Sequence, residues 1–99
     1  MIARIWHGTT EVAKAKDYLE LLNRTGIPDY RNTKGNLGAY VLRRIENDKA
    51  HFLTFSLWES LDAIKTFAGE DYERARYYPE DKDFLLEFEP NVQHYEVFE

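Results

Sequence analysis

Residues 51–78 read HFLTFSLWESLDAIKTFAGEDYERARYY, and the first eight of them decide the fold. In a strand successive side chains alternate between faces, so Leu53, Phe55 and Leu57 line one face and Phe52, Thr54, Ser56 and Trp58 the other. Neither face is water-like, so each needs a covering layer. Trp58-Glu59-Ser60 then closes the strand, and Ser60 supplies an N-cap oxygen for the next helix. Leu61, Ile64, Phe67 and Ala68 form the apolar stripe of that helix, and Gly69 ends it.

Upstream, residues 2–7 alternate weakly, with Ile2, Arg4 and Trp6 on one face and Ala3, Ile5 and His7 on the other; this predicts a first strand. Gly8-Thr9-Thr10 reads as a turn with N-cap residues. Val12, Ala15, Leu19 and Leu22 predict a helix ending near Thr25-Gly26, with Gly26 just past its end. Residues 27–38 read as a loop, residues 39–45 as a second strand, and Glu46-Asn47-Asp48-Lys49 as a polar hairpin turn into the third strand at 50–58. Downstream, a short helix is expected over 71–77, with Glu70 and Arg74 at ion-pair spacing. A loop follows at 79–83. Residues 84–88 fit either an extended run or one helical turn, and 92–98 form the last strand.

The order is β-α-β-β-α-β, which predicts one α+β domain over residues 1–99 with the ferredoxin-like topology, an antiparallel sheet carrying both helices on one face. The other face then needs a cover. A second copy of the same sheet across a twofold axis is the expected cover, giving a homodimer; the alternative is that residues 79–91 fold back over it.

Composition removes several classes. Among 99 residues the net charge is −5, and the densest basic spots are Arg43-Arg44 and Arg74 with Arg76, so a nucleic-acid interface is not expected. No apolar run reaches membrane-span length, and residues 1–10 lack a signal-peptide pattern, so the expected compartment is the cytoplasm. There is no cysteine, hence no disulfide, thiol nucleophile or thiolate ligand. His7, His51 and His94 show no ligand-pair spacing, and no metal is expected.

The candidate chemistry is therefore acid–base and aromatic. His7 ends the first strand beside Gly8 and is the candidate general base, since imidazole titrates near neutrality. Trp58 and Phe67 are candidate walls for a flat ligand, although residues of this kind also fill ordinary cores. Tyr77 and Tyr78 follow Arg74 and Arg76, and phenols beside guanidinium groups suit an anionic enolate, so Arg74, Tyr77 and Tyr78 are the candidates to hold it. Glu70-Asp71 fits a helix N-terminus better than a catalytic pair, and Gly35-Asn36-Leu37-Gly38 lacks the Lys-Ser/Thr of a phosphate loop.

The strand order, the buried strand ending in Trp58-Glu59-Ser60, the helix Leu61–Ala68 and the terminal His94-Tyr95-Glu96-Val97 resemble the antibiotic biosynthesis monooxygenase (ABM) family. The resemblance spans about residues 2–98 and implies a dimeric α+β barrel. It also implies several possible activities. One is cofactor-independent oxidation of a phenolic or quinol-type molecule, in which a base removes a proton and the carbanion reduces O₂ directly. Another is haem degradation, which in this family uses an Asn on the first strand, a Trp in the second helix and a His after it. Those positions fall near His7, on Phe67 and on Tyr77, and all three differ, which argues against haem and leaves no cofactor expected. A non-catalytic dimeric module that binds a small molecule is the other class.

Overall fold

The computed structural model describes residues 1–99. Its elements are β1 (Ile2–Glu11), α1 (Ala15–Arg24), α2 (Gly26–Arg31), β2 (Asn36–Glu46), β3 (Lys49–Trp58), α3 (Leu61–Ala68), β4 (Leu85–Phe88) and β5 (Gln93–Glu96). The sheet order is β2-β3-β1-β4, with β5 also on β1, and every pairing is antiparallel. β4 and β5 lie along the same edge of β1, so they are two halves of one interrupted fourth strand. This is the ferredoxin-like α+β arrangement expected from the sequence.

β1 runs four residues past the expected end at His7. Gly8, Thr9 and Thr10 do not turn; they pair with Phe52, His51 and Ala50 of β3 and with β4. β-branched threonines suit a pleated, buried surface, and both are buried here. Gly8 is required at its position, because a Cβ there would sit 2.5 Å from the Trp6 ring.

Two further expectations fail for stated reasons. The first helix ends at Arg24–Thr25 with Gly26 just past it, as expected, but the loop expected over 27–38 opens with a helix instead: Gly26 begins α2, where Ile27 and Tyr30 are buried one turn apart and Pro28 occupies the first turn, which needs no amide donor. Residues 71–77 are not a helix: the chain turns at 72–73 and Arg74 then bridges Asn91. Pro90 interrupts the fourth strand, and its carbonyl accepts from the Ala75 amide at 2.8 Å while the Val92 amide donates to the Glu73 carbonyl at 2.8 Å. Ladder bonds thus take the backbone groups that a helix would have used. The expected Glu70–Arg74 pair is absent; Arg74 meets Asp71 at 3.4 Å in solvent. Residues 84–88 resolve as strand, and residues 79–83 as a single 3₁₀ turn.

Other readings hold locally. Ser60 caps α3 by accepting the Ala63 amide at 3.2 Å, and Gly69 ends the helix at φ 86°. Asn47 carries the hairpin turn at φ 59°.

The core lies between the helices and one sheet face, in two adjoining clusters. One gathers Trp6, Tyr18, Leu21, Leu22, Phe52 and Val92; the other gathers Ile27, Tyr30, Ala39, Trp58, Ala63 and Ile64. Residues 79–91 do not cross to the opposite face: Asp81 is buried on the helix side, Phe84 packs on Tyr18, and 85–88 extends the sheet edge.

Candidate functional site

Register sorts every strand residue onto one of two faces. Directly paired residues share a face, so Arg4, Trp6 and Gly8 lie under the helices with Ser56, Thr54 and Phe52. Ile5, His7 and Thr9 lie on the open face with Phe55, Leu53 and His51. From β2, Tyr40, Leu42 and Arg44 join the open face.

Between the sheet and helices is a small cavity whose walls include Arg4, Trp6, Tyr30, Thr54, Arg76, Tyr77, Tyr78 and Asp81. Its free volume is about 20 Å³, room for one water-sized group. Outside it, Tyr77, Tyr78, Pro79, Asp81, Lys82, Leu85 and Phe88 line an open, mostly apolar groove of about 250 Å³. Tyr77, Tyr78 and Asp81 are common to both and form the partition.

The partition is held by hydrogen bonds. Trp6 Nε1–H donates to the Tyr77 hydroxyl at 2.9 Å, and that hydroxyl donates to the Glu89 carbonyl. The Tyr78 hydroxyl donates to Asp29, while the Tyr78 amide donates to Asp81 Oδ2 at 2.7 Å. Asp81 Oδ1 accepts from the Tyr18 hydroxyl at 3.1 Å. Burial raises the pKa values of Tyr18, Tyr77 and Tyr78, so all three are neutral phenols. Burial also pushes the Asp81 carboxyl up, against the pull of its two donors.

Of the residues expected from the sequence, Tyr77 and Tyr78 line this cavity directly. Trp58 and Phe67 pack beside it: Phe67 lies 4.7 Å from the Tyr30 ring and 5.7 Å from Trp58, with the guanidiniums of Arg4 and Arg76 at 5.5 and 5.0 Å from its ring centre. Trp58 is wholly buried and also bonds Ser56 at 2.9 Å, as a core residue does. Arg74 points into solvent beside Asp71, and Arg76 takes the place at the cavity.

His7 is on the other face of the sheet. It stacks on His51 with ring planes 13° apart, shares a 3.0 Å hydrogen bond with it, and has Glu89 at 3.7 Å. These two histidines, with Leu42, Arg43, Arg44 and Leu53, line a separate open depression of about 290 Å³. His7 therefore does not meet Tyr77, Tyr78 or Arg74 in one site, because it sits an odd number of residues from Arg4 and from Trp6 along β1 and so falls on the opposite face. No three His, Asp or Glu side chains converge as a metal-holding group.

Arg4 and Asp81 escaped the sequence reading. Arg4 was visible as a charge between Ile2 and Trp6 on one strand face, a conflict with core patterning. Asp81 looked like one charge in a polar loop; only the tertiary contact with Tyr18 buries it.

No protein-family model matches the sequence, and no curated protein matches it. Solved structures do match. A Bacillus cereus protein assigned to the antibiotic biosynthesis monooxygenases superposes with TM-score 0.68 at 16% identity, over 97% of this chain and 89% of that one. The haem degrader MhuD of Mycobacterium tuberculosis, with two haems in its active site, gives TM-score 0.60 at 21% identity over 98% and 95%. An MhuD variant with two manganese protoporphyrin IX molecules per active site gives 0.61 at 21% over 98% and 94%. No helix of the chain is long and apolar enough to cross a membrane. Nearly full coverage in both directions, with the same α+β layering, gives this chain the fold of the antibiotic biosynthesis monooxygenases.

Proposed function

We propose that the protein is a homodimer that takes a flat phenolic or quinol-type small molecule between its helices and sheet and oxidises it with O₂, without a cofactor. The observation that carries this reading is the partition of Tyr77, Tyr78 and Asp81 between a polar inner cavity and an apolar groove of about 250 Å³. A groove of that size suits a planar ring. Asp81 is the one carboxylate lining both spaces, and its raised pKa brings it closer to the operating range of a proton acceptor. Asp81 replaces His7 as the proposed base, since His7 faces away. Removing the phenolic proton leaves a carbanion that reduces O₂; one oxygen enters the substrate and the other leaves as water. The protein contributes desolvation and position, with Trp58 and Phe67 backing the Tyr77–Tyr78 wall.

The homodimer rests on the open face. Leu53, Phe55 and Leu57 are half-buried and Tyr40, Leu42 and Tyr95 exposed, with no segment of the chain laid over them. An isologous sheet-on-sheet contact is the simplest cover for so apolar a surface.

Haem does not fit these residues. The inner cavity takes one small group, no histidine lines it, and the Tyr77 phenol is held neutral by burial with both its donor and an acceptor site engaged. A second reading, ligand binding without turnover, is favoured by the absence of any histidine from the cavity. Oxygen uptake with anthrones and quinols, run beside thermal shift with the same compounds, separates the two. Binding with uptake supports the enzyme; binding without uptake leaves the module; no binding by any of them removes both.

A further inference from the structure

Arg4 is the least expected side chain in the core. It is 2% exposed, on the helix-covered face between the buried Trp6 and the half-buried Ile2. No carboxylate pairs with it. Its Nη2 donates to the carbonyls of Arg74 and Tyr72 at 3.2 and 3.4 Å, both long, and its Nε has no partner. A buried guanidinium without a counter-charge is costly, and an anion bound against it offsets that cost.

The surroundings fit an anion. Arg4 lines the inner cavity together with Arg76, whose guanidinium also lies near the Phe67 ring. Arg76 is offset in part by Asp29 at 3.8 Å, and Asp81 is occupied by Tyr18 and the Tyr78 amide. The hydroxyls of Tyr30 and Thr54 meet at 3.3 Å in the same cavity, and that contact uses only one of their two hydrogens. His94 lies directly opposite Arg4 in the sheet; its Nε2 is buried without a partner, and burial and Arg4 together keep its ring neutral. Cations and spare donors thus converge on a free volume of about 20 Å³, which admits one small polar group such as a carboxylate oxygen.

We propose that Arg4 makes the inner cavity an anion subsite, so that the ligand is an aromatic molecule bearing a carboxylate or enolate, its ring in the outer groove and its anionic head on Arg4 past Tyr77 and Tyr78. This rests on the binding half of the function proposed above and names the class of ligand.

The test uses benzoate and its neutral analogue benzyl alcohol at fixed ionic strength. Benzoate should raise the Tm of the wild-type protein and benzyl alcohol should not. Arg4→Met should weaken benzoate about ten- to a hundredfold, as loss of a charge-assisted bond does. Without ligand, the Tm of Arg4→Met should equal or exceed the wild-type value, because an unpaired buried charge has been removed. A purely structural Arg4 would give the reverse: a lower Tm with benzoate affinity intact. If Arg4→Met does not fold, the wild-type arginine Nε–H spectrum decides, with the Arg4 signal identified through Arg4→Lys; benzoate must move that signal. The proposal is overturned if benzoate leaves the wild type unshifted, if benzyl alcohol stabilises it equally, or if the Arg4 signal stays still. Quinol turnover unchanged in Arg4→Met overturns the anion subsite and leaves the oxidase reading standing. Benzoate binding through Arg4 with no quinol turnover does the opposite.

Discussion

On the face of the sheet under the helices, β1 and β3 present Arg4, Trp6, Thr54, Ser56 and Trp58; on the open face the same strands present Ile5, His7, Leu53, Phe55 and Leu57. Composition alone would rank these the other way, since the covered face holds the charge and hydroxyls and the open face the aliphatic residues. The covered face tolerates polar groups because partners surround them: the carbonyls of Tyr72 and Arg74 for Arg4, Tyr30 of α2 for Thr54, and Trp58 of the same strand for Ser56. The open face has no layer over it; its centre is apolar, and its polar side chains His7 and His51 find a partner in each other. The uncovered apolar face is the proposed association surface, and the covered polar face holds the proposed ligand site.

That contrast can be broken from either side. The largest effect is expected from Trp58→Ala, which removes a fully buried ring from the covered face. It should cost about 3–5 kcal/mol in urea unfolding, whereas Leu53→Ala on the open face of the isolated subunit should cost about 1 kcal/mol or less. Equal costs would mean that both faces are buried to the same degree within one subunit.

Next comes Phe55→Glu, which puts a carboxylate in the middle of the open face beside Ile5 and Tyr40. A buried unpaired carboxylate opposes association strongly, so sedimentation should show monomer at concentrations where the wild type is dimeric. An unchanged mass would exclude the open face as the interface.

Asp81→Asn keeps one oxygen to accept from the Tyr78 amide, and its NH₂ can donate to a reversed Tyr18 hydroxyl, but it removes the proposed base. Turnover should fall about a hundredfold while Tm is retained. The pH dependence has a defined sign. Because the folded-state pKa of Asp81 is raised, its contribution to stability is full below the unfolded value near about 4 and is lost as pH rises through the raised value. Wild-type unfolding free energy should therefore decline relative to Asp81→Asn over that rise, and parallel curves would deny a buried Asp81.

The smallest effect is expected from His7→Ala. It lies on the face away from the cavity, so turnover and ligand affinity should stay within about twofold of wild type while Tyr78→Phe, which breaks the bond to Asp29, lowers both. A His7→Ala variant without activity would return the chemistry to the open face.

The outline of the fold was legible because its signals are local. Alternation in β3, the Ser60 cap, the Gly69 stop and the polar turn at Asn47 each act within a few residues. The errors fell where distant backbone overrode local preference. Gly8-Thr9-Thr10 reads as a turn until β3 and β4 lie alongside it, and residues 71–77 read as a helix until Pro90 and Val92 claim their ladder bonds. The site was half legible. Tyr77 and Tyr78 announced themselves as clustered aromatics, whereas Arg74 was chosen over Arg76 two residues away, a choice that turns on which side of an extended segment faces inward.

The sequence by itself determined the element order, the α+β class and the presence of an apolar sheet face with no helix to cover it, because periodicity and caps are written in neighbouring residues. Only the tertiary structure decided that His7 and Tyr77 lie on opposite sides of one sheet, that Arg4 is buried without a counter-charge, and that Asp81 is withdrawn from solvent. The physical reason is the same for all three: burial and the identity of a partner belong to pairs of residues roughly forty to seventy positions apart, and they exist only once the sheet has closed.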